Sequence, residues 1–313
     1  MKRIFIVILI NTFIAGKVFS AYSLFNLGNL NNQLSNNAIL SLYQDRYGFM
    51  WFGTYDGLNL YDGKEVTTFR FESANSYSLS GNSIHKISRA DNDHLWIATH
   101  VGLDKFSLKE RKVVESYMNY EKVVFMETNN RNETWLIDKD NFISYYNDNQ
   151  KKFHEIPFNG LKINDIRSLF VDENNQLCLI NKDGKLQLIA LANNNKQEKN
   201  YSLVIREESF HNKTINHVFY EDRRIYFVDE KNDLYVYDKV NQQKIYLRNI
   251  ADIISQYGGS ITSLCTFKND IFITFLHGGL IKVDMTNKEQ WEPVNTSIGI
   301  FGLLKDCNQD AIW

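Results

Sequence analysis

Seven histidines, His85, His94, His100, His154, His211, His217 and His277, are the first residues to weigh for chemistry. They are dispersed, and no H-E-x-x-H or C-x-x-C spacing gathers metal ligands onto one face. His211 and His217 are close only within a connector. No metal site and no cofactor is expected. No G-x-S-x-G elbow and no phosphate-binding glycine loop occurs either. A glycosidase on this scaffold would need two carboxylates about 5–10 Å apart across the scissile bond. The many acidic residues leave that open by number, but no spacing marks a pair. Asp45, Asp91, Asp172 and Asp306 instead recur in the connectors between the first and second strands of a repeat, where turn formation is the expected role.

That repeat supplies the elements that position everything else. "DRYGFMWFGTYDGLNLYDG" (residues 45–63) and "DNDHLWIATHVGLDKFS" (residues 91–107) read as the same phrase. With Trp51 as reference, the equivalents are Trp96, Trp135, Cys178, Phe227, Ile273 and Trp313, 39–49 residues apart. Twelve positions earlier stand Ile39, Ile84, Val123, Ile166, Ile215, Ile261 and Phe301. Nine earlier stand Leu42, Ile87, Met126, Leu169, Val218, Leu264 and Leu304. Six later comes a turn column: Gly57, Gly102, Asn141, Gly184, Asp233 and Gly279. Gly, Asn and Asp accept positive φ, as tight hairpins require. Seven later stand Leu58, Leu103, Phe142, Lys185, Leu234 and Leu280, with Lys185 the misfit. Ten later stand Tyr61, Phe106, Tyr145, Leu188, Tyr237 and Val283.

Each unit thus predicts strand A, strand B at the reference, a tight turn, strand C, and a further apolar strand D such as 68–71 or 113–117. Four short strands per repeat of about 40–50 residues predict an all-β fold, a β-propeller of four-stranded blades. A β-sandwich is disfavoured by the fixed offsets. The blades fall near 34–78, 79–118, 119–161, 162–210, 211–256 and 257–299. Residues 300–313 begin an incomplete seventh, and 22–27 resemble its closing strand. The propeller is expected over 21–313, as a piece of a longer protein. The tryptophans are expected to pack between blades.

Composition sets the remaining bounds. The 313 residues carry a formal charge of −2, which argues against a nucleic-acid surface, and only two prolines. Lys2 and Arg3 before the apolar run Ile4–Ile10, with a cleavage point after Ser20, read as a signal peptide over 1–20; an uncleaved anchor is the alternative. Its removal takes Lys2, Arg3 and Lys17 and brings the net charge to −5. Cys178 and Cys265 read as core residues and Cys307 as a loop thiol.

Binding is then expected on loops of a rigid scaffold. The B–C turn tips present Tyr55, Asp56, His100, Lys139, Lys182, Lys231 and His277, with Asp140 and Asp183 beside them. This mixture of aromatic, basic and acidic groups suits a sugar, an acidic one above all. Solvated turn residues are the plainer reading for any single one.

"LSNNAILSLYQDRYGFMWFGTYDGLNLYDG" and "LSGNSIHKISRADNDHLWIATHVGLDKFS" closely resemble the two-component regulator propeller repeat. The framework continues without Trp in "IRSLFVDENNQLCLINKDGKLQL". The resemblance spans 22–313. It implies paired seven-bladed periplasmic propellers followed by an immunoglobulin-like domain, a membrane helix, a histidine kinase, a receiver and a DNA-binding domain. It also implies an oligosaccharide ligand, a homodimer when full length, and control of polysaccharide-utilisation genes from the inner membrane. None of the signalling segments occurs in these 313 residues. The alternatives are a periplasmic glycosidase or lyase on a propeller, and a protein-binding scaffold.

Overall fold

Period-two runs of Val, Ile, Leu and aromatic residues, broken by Asp, Asn and Gly, form short strands that pair with their chain neighbours. The computed structural model describes residues 33–118, 123–140, 143–147, 150–156, 165–172, 174, 176–193, 201–221, 223–257, 260–268, 270–287 and 291–295. Within them lie six four-stranded sheets. Blade 1 holds β1 (Ile39–Gln44), β2 (Met50–Thr54), β3 (Gly57–Tyr61) and β4 (Val66–Phe69). Blade 2 holds β5 (Ile84–Arg89), β6 (His94–Thr99), β7 (Leu103–Ser107) and β8 (Lys112–Tyr117). Blade 3 holds β9 (Val123–Thr128), β10 (Thr134–Asp138), β11 (Ile143–Asn147) and β12 (Lys152–Ile156). Blade 4 holds β13 (Ile166–Val171), β14 (Leu177–Asn181), β15 (Lys185–Asn193) and β16 (Tyr201–Ser209). Blade 5 holds β17 (Ile215–Glu221), β18 (Arg224–Asp229), β19 (Asp233–Asp238) and β20 (Gln243–Asn249). After the helix α1 (Ala251–Tyr257), blade 6 holds β21 (Ile261–Phe267), β22 (Asp270–Phe275), β23 (Leu280–Asp284) and β24 (Trp291–Asn295).

The innermost strands neighbour each other in the order β1, β5, β9, β13, β17, β21. Over the described residues the fold is a β-propeller with six four-stranded antiparallel blades. The seventh blade expected at 300–313 and the closing strand at 22–27 lie outside the described residues. So do Cys307 and Asp306. Cys178 and Cys265 are buried core residues, as expected.

Every innermost strand carries the same irregularity. The pairing shifts by one residue after Ile39, Ile84, Ile166, Ile215 and Ile261, and after Val123 in the same position of β9. Such bulges tighten the local twist and bend the strand. Six in equivalent places turn each blade edge at the axis in the same way.

Apolar layers fill the spaces between blades. Trp51 of blade 1 packs with Ile84, Ile87 and Phe106 of blade 2. Trp96 packs with Met126, Leu136 and Tyr146 of blade 3, and Trp135 with Leu169 and Leu177 of blade 4. All three indoles are buried, so their packing role holds. Burying each large side chain stabilises by roughly 2–3 kcal/mol.

Blades 5 and 6 correct the reference column. Blades 1–4 join A to B through five residues, as in 45–49 or 172–176. In blade 5 Glu221 pairs with Arg224, and in blade 6 Phe267 pairs with Asp270. Aligned from the strand starts, these connectors are one residue shorter. A one-residue slip turns a side chain to the opposite face. The equivalents of Trp51 are therefore Tyr226 and Phe272, while Phe227 and Ile273 face the preceding blades.

The Lys185 misfit has the same kind of cause. In blades 1 and 2 the B–C loop is two residues, Tyr55-Asp56 and His100-Val101. In blade 4 Ile180 pairs with Leu186, so the loop holds one residue more and the buried Leu186 takes the expected apolar place. In blade 3 Ile143, not Phe142, pairs with Ile137, and Tyr146, not Tyr145, faces blade 2. In blade 5 the positive φ falls on Asn232 (63°) rather than Asp233. Gly102 has no positive φ; a Cβ there would meet the Tyr117 carbonyl oxygen at 2.7 Å, so close approach selects glycine.

Helix α1 has no counterpart in the repeat pattern. Asn249 Oδ1 accepts the Ala251 N–H at 2.9 Å and Asp252 stands in the first turn, both favourable at a helix N-terminus. Ile253 is buried, and Tyr257 stacks on Phe275 at 5.6 Å.

The A–B connectors of blades 1, 3 and 4 turn around a buried polar side chain, whereas in blade 2 Ala90 takes the buried place and the half-buried Asp91 beside it shapes the turn. Asp45 Oδ1 accepts the N–H groups of Tyr47 and Phe49. Asn129 does the same for Arg131 and Glu133, and Asp172 for Asn174 and Gln176. Asp91 accepts the Asp93 N–H. The turn role expected for Asp45, Asp91 and Asp172 holds. The second carboxylate oxygen also needs a partner, because a buried unpaired charge is costly. In blade 1 the Trp51 indole N–H supplies it at 2.9 Å. In blade 2 Trp96 turns its N–H to Thr134, and Lys105 reaches Asp91 at 3.3 Å. Blade 4 has Cys178 in place of Trp, and Lys239 from blade 5 pairs with Asp172.

Lys239→Met should lower stability to urea by about 3–5 kcal/mol, because it strands the buried Asp172 carboxylate. Adding Asp172→Asn, the chemistry that blade 3 already uses, should recover most of the loss. A double variant no more stable than Lys239→Met would refute this.

Candidate functional site

Strand topology sends the B–C turns and the D–A connectors to one rim, and hydrogen bonds tie them together there. Gly57 N–H donates to the Asn82 carbonyl, His100 to Ser83, Lys182 to Asp165, Glu230 to Thr214 and Leu276 to Ser260. In each case a B–C turn is pinned to the residues that open an innermost strand.

All seven residues predicted for recognition stand on these turns. Lys139 is paired with Asp140 at 2.9 Å and Lys182 with Asp165 at 2.7 Å. Lys231 and His277 are exposed on blades 5 and 6. These four are spread round the rim, one per blade. Tyr55, Asp56 and His100 are brought together on blades 1 and 2.

Asn82 makes that junction. Its carbonyl accepts from Gly57 at 2.7 Å, and its Oδ1 accepts the Phe71 N–H at 2.7 Å. Its neighbour Gly81 lies against the His100 ring, which a Cβ would approach to 2.7 Å. Arg70 Nη2 donates to Asp56 Oδ2 at 3.0 Å, and Arg70 Nε to the Asp56 carbonyl at 3.1 Å. Tyr55 is 57% exposed and Phe71 50% exposed on either side of this pair. Gly57 itself has φ 129°, and a Cβ there would lie 2.7 Å from the Phe69 carbonyl oxygen. The result is a rim patch of two exposed rings, one ion pair, an amide and an imidazole.

Arg70, Phe71 and Asn82 were missed because they belong to the D–A connector. The sequence extends strand D to Phe71, whereas β4 ends at Phe69 and leaves Arg70 and Phe71 on the rim. The Asn in "LSGNS" was the available signal.

Beneath the patch lies a repeated polar support. In blade 1 Asn59 Oδ1 accepts from the Ser35 N–H and the Thr68 hydroxyl, and Ser35 Oγ meets Thr54 Oγ1 at 3.0 Å. In blade 2 Asp104 accepts from the Ser80 N–H and the Ser116 hydroxyl, and Ser80 Oγ meets Thr99 Oγ1 at 2.9 Å. Thr54 and Thr99 then accept N–H groups of the B–C loops, Asp56 and Val101 respectively. Burial pushes the Asp104 carboxyl above the usual range, against these hydrogen bonds. Among the described residues no group of three or more His, Cys, Asp or Glu side chains could hold a metal ion.

Residues 33–56 match the family model described as the two component regulator propeller. Over that stretch the chain is similar to the two component regulator propeller. The matched stretch runs from the Ser35 support through β1 and β2 to the Tyr55-Asp56 tip. Its fold is similar to the extracellular domain of the putative hybrid two component system BT4673 from B. thetaiotaomicron. That likeness has TM-score 0.64 and 18% identity, and covers 88% of this chain and 36% of that one. The extracellular domain of the putative hybrid two component system BT3049 from B. thetaiotaomicron is similar at TM-score 0.60 and 19% identity. There the coverage is 88% of this chain and 38% of that one, so this chain spans little more than a third of either. No curated protein matches.

Asp104→Ala, which leaves the Ser80 and Ser116 donors unpaired, should cost about 2–4 kcal/mol. Asp104→Asn copies blade 1 and should stay within about 1 kcal/mol of the parent. A carboxyl raised in the folded chain favours folding as pH falls through the carboxylate range and disfavours it above. The Asn variant should therefore gain on the parent near neutrality and lose that gain in acid. Urea midpoints measured across pH check both, and parallel pH curves would refute the second.

Proposed function

We propose that the chain is the ligand-reading propeller of an extracellular sensor and binds an oligosaccharide across the rim of blades 1 and 2. The observation that carries this is the exposed pair Tyr55 and Phe71, flanking the Asp56–Arg70 ion pair beside Asn82 and His100. Aromatic rings offer flat apolar faces to sugar C–H groups, and convergent polar groups fix hydroxyls or a carboxylate. Arg70 suits an acidic sugar, since guanidinium matches carboxylate geometry. The similar folds, extracellular domains of putative hybrid two component systems, support a sensor context, in which the chain lies in the periplasm and acts without chemistry of its own. In this reading a second propeller, an immunoglobulin-like domain, a membrane helix and a histidine kinase of a longer homodimeric protein carry the signal onward.

Calorimetry of the propeller against neutral and acidic oligosaccharides tests the reading. Tyr55→Ala and Phe71→Ala should each weaken the best ligand about tenfold, near 1.4 kcal/mol. Tyr47→Ala, an exposed ring in an A–B connector on the opposite rim, should leave affinity unchanged. Hydrolysis or elimination of a glycan would replace the sensor reading with an enzyme. Binding unaffected by the Tyr55 and Phe71 changes would move the site elsewhere.

A further inference from the structure

His211 sits in the D–A connector ahead of β17, buried where the B–C turns of blades 4 and 5 meet. Its backbone is fastened to the blade 4 turn: the N–H groups of Phe210 and His211 both donate to the Gly184 carbonyl, at 3.1 and 3.3 Å. A Cβ on Gly184 would lie 2.5 Å from the His211 carbonyl oxygen, so the two segments are in direct contact. Its ring faces the blade 5 turn. Asp229 Oδ2 lies 3.5 Å from Nε2, and Asp229 Oδ1 accepts the N–H groups of Lys231 and Asp233 that shape that turn.

The two ring nitrogens have different partners. Lys244 Nζ stands 3.2 Å from Nδ1. An ammonium only donates, so Nδ1 accepts and the ring is neutral with its proton on Nε2. That N–H points toward Asp229 without a full hydrogen bond. The other charged and titratable groups here are Lys213, 3.4 Å from Asp229 Oδ2, and Tyr235, whose ring lies 5.3 Å from the imidazole. Tyr246 packs on Tyr235, and the Asp233 carboxylate is bound by the Asn249 amide.

We propose that Lys244, His211 and Asp229 form a proton-operated latch that sets how the B–C turns of blades 4 and 5 are held together. A solvent proton adds to Nδ1. Two cations would then face each other at 3.2 Å, so Lys244, on the exposed edge strand β20, swings to solvent with its own protons. The imidazolium closes on Asp229, and the connector that is fastened to the blade 4 turn loses the Lys244 bond that fixes its ring from outside. Burial first, then Lys244, already hold His211 below the ordinary histidine range, so the latch stays neutral near pH 7 and opens in mild acid. It acts whether or not the blade 1–2 patch binds a glycan.

Amide hydrogen exchange at about pH 7.5 and about pH 5.5, corrected for intrinsic rates and referenced to the blade 2 turn, tests this. Peptides over 181–186 and 209–215 should lose roughly threefold or more protection in acid. Lys244→Met should move the midpoint of that loss to higher pH. His211→Gln, which can accept from Lys244 but not titrate, should abolish it. An acid response retained in His211→Gln, or a midpoint unmoved in Lys244→Met, overturns the proposal. So does protection in the parent that is equal at both pH values.

Discussion

The fold depends on keeping the carboxylates in the A–B connectors of blades 1, 2 and 4 neutralised. The connector needs an acceptor to gather two N–H groups at its turn, and Asp or Asn provides it. Burial makes the spare oxygen of an Asp a liability. The blades meet that constraint in different ways: the Trp51 indole, the Lys105 ammonium, the Lys239 ammonium, and in blade 3 the amide of Asn129. Blades 5 and 6 use a shorter connector without it. Each solution also governs the neighbouring layer. Lys105 lies over the Trp96 and Tyr146 rings, and Lys239 brings blade 5 onto Cys178, whose thiol burial pushes up to about 12.

The repeat therefore conserves a geometry more strictly than a residue. Trp is dispensable where a lysine from the same or the next blade can meet the Asp, and Cys178 shows the cost in volume that follows. The rim is built under looser terms. Its loops differ in length by one residue between blades 1–2 and blades 3–6, because a hairpin can absorb an extra residue without disturbing the paired strands. This freedom lets blades 1 and 2 expose Tyr55 and Phe71 while blades 4 and 5 converge on His211.

Much of the architecture was legible from residue types. The two innermost-strand columns, Ile39 and Leu42 with their equivalents, were right in all six described blades, because no length change separates them. Columns beyond a connector failed where a change in its length was not offset by another, as it is at Leu234 and Leu280. Phe227 and Ile273 were one residue off, and Lys185 stood where Leu186 packs. At the site, Tyr55, Asp56 and His100 could be picked as turn tips. Arg70, Phe71 and Asn82 could not, since their role depends on where β4 stops.

The sequence by itself determined the blade: period-two apolar runs, turn residues between them, and an aromatic residue at a repeated place. Those are local properties, set by strand pleat and turn geometry. Only the tertiary structure decided which lysine neutralises which connector Asp, which rim residues become neighbours, and that His211 lies between a lysine and an aspartate. These pairings join residues such as 172 with 239 or 57 with 82, and loop lengths set them. Spacing along the chain carries no signal for them.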